Sequence, residues 1–513
     1  MNHRQIVNIV NFIRDVEPRS PRDLVEPVRE QIALMKKHGL RGTFLLQYDA
    51  LIDPVYTELL KALDPAQFEF GVWLEVVEPQ CKACGIPWTG RFPWDWHAHC
   101  GFSVGYTKPQ REALADALFE KFKEIFGVYP RVFGSWFFDS HTARYITDKY
   151  GLDAMCNCKE QYGTDGYTLW GGYYGQAYYP SRTNVFMPAQ TKAEQLSAPL
   201  FRMLGSDPVY QYDSGMSTEN GAAGAQGVVT LEPVYTGRGG GGGVPFWVDW
   251  YMKENYNGDC LTFGYAQAGQ ENSFGWSSMK NGLEYQFALF ERLQAEGKIT
   301  VEPLGETGRW FKSTWNETPP SAITAHTAYD DEERNSVWYS TKRYRINLFS
   351  DHGDFRVRDL HVFSENLPDP FEEKVCEAND AAYETLPVIE GNRHSGAGVL
   401  AGLRILRDGE PLKAGKMTFR DNGDGTATVG YGSFSFLLRE DGFDVGSDGD
   451  FTLEYRFCAE SAGMPAVTRC DERELALRYA GVGYGLRLTN GQFLSPTAAR
   501  SENGKLSAEV FRI

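Results

Sequence analysis

Residues 5–12 (QIVNIVNF), 24–38 (LVEPVREQIALMKKH) and 40–48 (LRGTFLLQY) decide the fold. The first is a short β-branched run, and the loop after it (RDVEPRSPRD, 14–23) is rich in charge and proline. The second places Val28, Ile32 and Met35 on one helical stripe and ends at Gly39, where a left-handed C-cap is expected. The third is again strand-like. Strand, loop, helix, strand in a compact domain means a right-handed parallel crossover.

The pattern recurs along the first 312 residues. Residues 68–74 form a strand with Glu75 at its end, and 109–126 a helix with Leu114, Leu118, Phe122 and Ile125 on one face, between Thr107 and Gly127. Residues 131–138 form a strand ending at Asp139, followed by a helix over 143–150 and strands over 152–158 and 260–266. A helix over 282–296 and a strand over 299–304 complete the series. This is an α/β chain, with a barrel or an open parallel sheet over residues 1–312. Periodicity gives way to prolines and acids over 313–335 (STWNETPPSAITAHTAYDDEERN), which reads as a linker. Residues 336–513 alternate between apolar and polar positions and are broken by Asn-Gly and Asp-Gly turns, the pattern of an antiparallel β-sandwich.

Composition narrows the function. The 51 lysines and arginines against 68 aspartates and glutamates give a net charge of −17, which repels nucleic-acid phosphates and anionic membrane surfaces. No apolar run reaches the ~18 residues of a membrane span. Met1 opens onto Asn2-His3-Arg4 with no signal-peptide pattern, so the expected location is the cytoplasm. Nine scattered cysteines, an odd number, read as reduced thiols. Cys81-x-x-Cys84 with Cys156-x-Cys158 is a weak zinc pattern, because the second pair has the wrong spacing. The run Gly237-Arg238 followed by 239–243 lacks the lysine and hydroxyl of a phosphate loop and reads as a lid.

Aromatic residues make up 14% of the chain, an enrichment that raises carbohydrate chemistry. Functional groups of parallel α/β folds gather beyond the C-terminal strand ends. Here those ends carry Arg14-Asp15-Val16-Glu17, then Glu75, then Asp139 with His141, then Glu271. Any one carboxylate reads equally well as a helix N-cap, but four at four strand ends are harder to dismiss. The loop after Glu75 holds Trp88, Trp94 and Trp96, with His97 and His99 at the period-two spacing that suits a metal or proton transfer.

These residues carry a resemblance. The stretch VREQIALMKKHGLRGTFLL (28–46), Glu69-Phe70-Gly71, and Tyr129-Pro130-Arg131-Val132-Phe133-Gly134 through Tyr150-Gly151-Leu152 are similar to the polysaccharide deacetylase (NodB-like) superfamily and its barrel glycoside hydrolase relatives. The two-part layout resembles gut-bacterial members of that superfamily. The resemblance implies a seven-stranded (β/α) barrel and, for the deacetylases, a divalent metal held by paired aspartates and an H-x-x-x-H motif. This sequence departs from that motif: Arg14 opens the first block, and Trp73 stands where the first histidine would fall. A ring of carboxylates without the metal triad is the equipment of a glycosidase. The expected pair is Asp139 with Glu271, and Glu75 in reserve. Substrate contacts are expected from Arg14, Asp15, Glu17, His97, His99, Trp136 and His141, and no cofactor or resident metal is expected. The alternatives are a metal-dependent deacetylase using Asp15 or Glu17 with His97 and His99, and a catalytically silent sugar-binding protein. The expected partner is a carbohydrate, with the oligomeric state open.

Overall fold

A computed structural model describes residues 3–164, 166–210, 229–236, 240–396 and 398–513. The first half runs β1 (Arg4–Ile13), α1 (Val25–Lys37), β2 (Gly42–Leu46), α2 (Tyr48–Ile52), α3 (Pro54–Lys61), β3 (Phe68–Trp73), α4 (Glu78–Ala83) and α5 (Ala98–Gly101). It continues with α6 (Lys108–Phe126), β4 (Val132–Gly134), α7 (Ser140–Tyr150), β5 (Ala154–Asn157), β6 (Gln161–Thr164), β7 (Tyr167–Trp170), β8 (Ala177–Tyr178) and β9 (Leu200–Arg202). After these come α8 (Pro245–Asn255), β10 (Phe263–Ala268), α9 (Trp276–Ala295), β11 (Thr300–Val301) and α10 (Leu304–Thr314).

The strands β10-β1-β2-β3-β4-β5-β9 lie side by side and all parallel, with β8 antiparallel on the far edge and β11 against β1. The sheet wraps round on itself: the Phe201 ring of β9 lies 5.2 Å from that of Tyr265 on β10. Gln176 Nε2 donates to the Phe263 carbonyl (3.0 Å) across the seam between β8 and β10. Backbone pairing does not close the ring among the described residues, so the barrel is open on that side.

Strand alternation separates two cores. Ile6, Val10 and Phe12 of β1 face inward with Leu45, Trp73, Val132, Cys156, Phe201 and Phe263, and α10 plugs the base with Leu304 and Phe311. The opposite phase, Val7, Ile9 and Ile13, packs outward against Ile32 and Met35 of α1. Gly134 is required inside, because a Cβ there would lie 2.7 Å from Leu45 and 2.8 Å from both Trp73 and Cys156.

Several boundaries differ from expectation. The strand expected over 131–138 ends at Gly134, and the one over 299–304 shortens to Thr300–Val301. The supposed linker is structured: α10 runs to Thr314, and after the Pro319-Pro320 break Ser321–Ala325 is already the first strand of the next unit. That unit consists of a ten-stranded and an eight-stranded sheet. They pack face to face, with Phe355 ringed by Tyr431 at 4.9 Å and Phe436 at 5.1 Å, and Tyr344 Oη donating to the Gly442 carbonyl (2.6 Å).

The two halves interlock. Ala381–Glu384 leaves the C-terminal unit to pair parallel with β7, Ala381 opposite Tyr167 and Glu384 opposite Trp170. Cys376 N bonds to the Val104 carbonyl (2.8 Å) and Ala98 N to the Asn379 carbonyl (2.8 Å). Arg345, fully buried, joins Asp359 of its own sheet (2.8 Å) to Glu160 of the barrel (2.8 Å). No helix among the described residues is long and apolar enough to cross a membrane.

Candidate active site

The inward phase of each strand continues one step past the strand end. On β1, Phe12 is followed by Arg14; on β3, Trp73 by Glu75; beyond β4, Gly134 by Trp136; beyond β10, Gln267 and Gly269 by Glu271. Gly269 adopts φ +109°, and a Cβ there would lie 2.2 Å from the Val10 carbonyl, so only glycine lets the chain leave β10 toward Glu271. Arg14, Glu75, Trp136 and Glu271 therefore meet at the C-terminal mouth, in a pocket of about 680 Å³ that Trp94, Trp96, Phe102, Gln161, Tyr167 and Glu232 complete.

The floor is aromatic. Phe12 and Trp73 stack at 4.1 Å, and Trp136 meets them edge-on at 5.2 and 5.3 Å. The Arg14 guanidinium lies 3.8 Å from the Trp94 ring centre. Its Nη2 donates to Glu75 Oε2 (2.9 Å) and to Glu271 Oε2 (3.0 Å), while Nε and Nη1 are buried without a hydrogen-bond partner among the described residues. Trp73 Nε1 also donates to Glu75 Oε2 (2.7 Å), and Ser273 Oγ to Glu271 Oε1. Asn272 fixes the loop to β1, accepting from Arg14 N (3.0 Å) and donating to Arg14 O (2.8 Å). Burial raises the Glu75 carboxyl above its ordinary value, against the pull of Arg14 and with a push from Glu271.

Glu232 is the third pocket carboxylate. It accepts from Thr230 Oγ1 (3.0 Å) and Gln270 Nε2 (3.3 Å), and no cationic nitrogen among the described residues lies within 4.0 Å of it. Burial pushes it up to about 7; the Gln270 and Thr230 donors oppose the rise, Glu271 adds to it, and Lys159 opposes it from a distance.

The remaining expected residues lie elsewhere. Asp139 is completely buried away from the pocket: it caps α7 through Thr142 N (2.9 Å), pairs with Arg111 Nη1 (2.9 Å) and accepts from Ser103 Oγ (2.6 Å). The chain turns after Gly134, so the alternation that delivers Trp136 does not extend to Asp139, and the structure does not bring the expected Asp139 and Glu271 together in one pocket. Asp15 is on the outward phase, where its N–H meets Asp49 Oδ2 (3.0 Å). Glu17 does not line the pocket itself but accepts from Nε of Arg19 (2.8 Å), which does. His141 bonds to Glu112 between α7 and α6 (2.9 Å). His97 stands at the start of α5 with its ring 5.8 Å from that of His99, and neither lines the pocket.

The residues present do not fit the divalent metal that the deacetylase resemblance implies. A guanidinium already bridges two of the pocket carboxylates, Glu75 and Glu271, and Asp15, Glu17, His97 and His99 do not converge. Among the described residues the potential ligand cluster is Asp331, Asp351 and His352, on the other unit, where Arg334 Nε already pairs with Asp351 (3.0 Å) and Asp331 (3.4 Å). The cysteine zinc pattern also fails: Cys156 lies inside the barrel, while Cys81 packs beside Tyr106 outside it. The glycine run falls partly outside the described residues, at 237–239. Its described part is no loose lid: Gly242 N bonds to Thr230 O (2.7 Å), and Gln286 Nε2 holds the Gly242 carbonyl (2.7 Å).

No protein-family model matches the sequence, and no curated protein matches it. Among solved structures, a protein of Parabacteroides distasonis, provisionally named a glycoside hydrolase/deacetylase, superposes with a TM-score of 0.54 at 15% identity. The match covers 75% of this chain and 90% of that one. The fold of this chain is similar to that of the Parabacteroides distasonis protein. Provisionally named polysaccharide deacetylases of Mycobacterium smegmatis (TM-score 0.37, 11% identity, 61% of this chain and 92% of that one) and Pseudomonas aeruginosa PAO1 (0.38, 12%, 61% and 93%) also align. At that level the deacetylase alignments carry no further argument. Glu232 is the pocket carboxylate that strand reading of the sequence misses. Its signal is the run VVTLE (228–232), β-branched residues ending in a carboxylate, the same pattern that marks Glu75.

Proposed function

We propose that this chain hydrolyses glycosidic bonds, with Glu232 as proton donor and Glu271 as the opposing base or nucleophile. The observation that supports this reading is a carboxyl with no cationic partner among the described residues, Glu232, sharing an aromatic-walled pocket with a carboxylate anchored by Arg14, Glu271. A group held near 7 stays partly protonated in neutral solution, and that protonated form can pass its proton to a departing glycosidic oxygen. Glu271 is oriented from two sides, by Arg14 and Ser273, as a group that must attack or deprotonate in one direction requires. Glu75 holds Arg14 in place, and the free Nε and Nη1 of Arg14 are available to sugar hydroxyls. Tryptophan and tyrosine walls suit the apolar faces of a sugar ring.

The test is release of reducing ends from a panel of polysaccharides by the full chain. Turnover by the wild type that is lost in both Glu232→Gln and Glu271→Gln supports the reading. Acetate release without chain cleavage would replace it with deacetylation.

A further inference from the structure

We propose that a second sugar subsite lies outside the pocket on the segment 91–96, so that the substrate is a glycan chain gripped over more than one unit. This inference rests on the carbohydrate reading of the pocket. Aromatic rings lead outward from the floor: Trp94 is 2% exposed, Trp96 half-buried at the pocket wall, and Phe92 is 39% exposed. Trp94 and Trp96 lie 5.8 Å apart, and Trp96 and Phe92 lie 6.3 Å apart with their planes 16° from parallel. The pocket wall is thus continuous with a ring presented to solvent.

The segment is held stiffly for a surface loop. Arg91 clamps the buried Asp95 carboxylate with N (3.0 Å), Nε (2.8 Å) and Nη2 (2.8 Å). Trp88 Nε1 donates to the Phe92 carbonyl (2.8 Å), and Glu78 N to the Pro93 carbonyl (2.8 Å). A binding surface loses less entropy on binding when its backbone is already ordered. Guanidinium groups flank the rings: Arg91 sits 4.7 Å from Trp96 and 5.5 Å from Phe92, and Arg19 5.4 Å from Trp96. Rings bordered by N–H donors match a pyranose, with an apolar face and a rim of hydroxyls. Continuity with the pocket identifies the occupant as the neighbouring unit of the same chain.

Full-length protein would be run by affinity electrophoresis through xylan, mannan, pectin and β-glucan, then titrated with the monosaccharide and hexasaccharide of any glycan that retards it. The expected result is a hexasaccharide bound more tightly than the monosaccharide. Phe92→Ala should weaken the hexasaccharide by about three- to tenfold, the worth of one aromatic contact, and leave the monosaccharide unchanged. Phe92→Tyr should restore the affinity, which separates stacking from misfolding. Equal affinity for both lengths, an unaffected Phe92→Ala variant, or no retardation by any of the four glycans overturns the subsite. Failure of the catalytic reading is distinguishable: the Phe92 effect on binding persists while no bond is cleaved.

Discussion

Arg14 Nη2 stands between Glu75 Oε2 and Glu271 Oε2, at 2.9 and 3.0 Å, so one nitrogen sets the spacing of two acids at the barrel mouth. Two such bonds keep these oxygens within about 6 Å of each other, and either acid left without the guanidinium is a buried charge with no counter-ion.

Replacing Arg14 by methionine should therefore change the pH dependence of stability as well as its level. Without the cation the Glu75 carboxyl is raised further, and a carboxyl raised in the folded state contributes stability that is full at low pH and lost as pH rises through its folded value. Arg14→Met should lie close to the wild type in unfolding free energy near pH 4 and fall below it by about 3 kcal/mol or more near pH 8. An equal deficit at both pH values would contradict the bridging role.

Glu232 should govern the alkaline limb of activity. Its protonated form is the donor, so kcat/KM should hold below about 7 and decline as pH rises through that value. Glu232→Gln should lower turnover by roughly 10²- to 10⁴-fold and remove that limb. Glu271→Gln should lower turnover comparably, and the double variant should be far less than multiplicatively worse, because both groups serve one displacement.

Asp139 should prove structural. Its carboxyl is held below the ordinary aspartate value: burial pushes it up, but Arg111, Ser103 and Thr142 outweigh that push. Its contribution is present above the unfolded value near 3.8 and is lost as pH falls through the folded value. Asp139→Asn strands the buried Arg111 charge and should cost about 3–5 kcal/mol at neutral pH. Glycan affinity, measured by titration on the fraction that remains folded, should be unchanged.

Chelation should leave turnover and melting temperature unaltered, since Arg14 already bridges Glu75 and Glu271 at the barrel mouth. Elemental analysis of the purified chain checks this. A stoichiometric zinc, nickel or cobalt ion bound through His97 or His99 would favour the deacetylase reading.

Strand alternation carries much of this architecture in the open. The β-branched run through Phe12 forecasts both the parallel barrel and the inward aim of Arg14, and the same rule places Glu75 and Glu271. Asp139 misleads because alternation holds only while the chain stays extended: the strand ends at Gly134, five residues earlier, and helix capping claims the carboxylate instead. Glu232 is hidden because its short strand-like run stands outside the repeating strand and helix rhythm. The insertion of Ala381–Glu384 beside β7 is invisible for a different reason. A pairing between segments so far apart leaves no periodic trace in either one.

That insertion has a consequence in time. Gln161 and Tyr167 of the pocket wall belong to a hairpin whose neighbouring strand, starting at Ala381, leaves the ribosome more than two hundred residues later. At synthesis rates of roughly 5–20 residues per second, the hairpin edge waits about 10–40 s for its partner. During that interval a nascent barrel exposes an unpaired strand, open to premature pairing with a neighbouring polypeptide on the same message. A ribosome stall placed between residues 170 and 381 should therefore promote aggregation, whereas a stall after 384 should not.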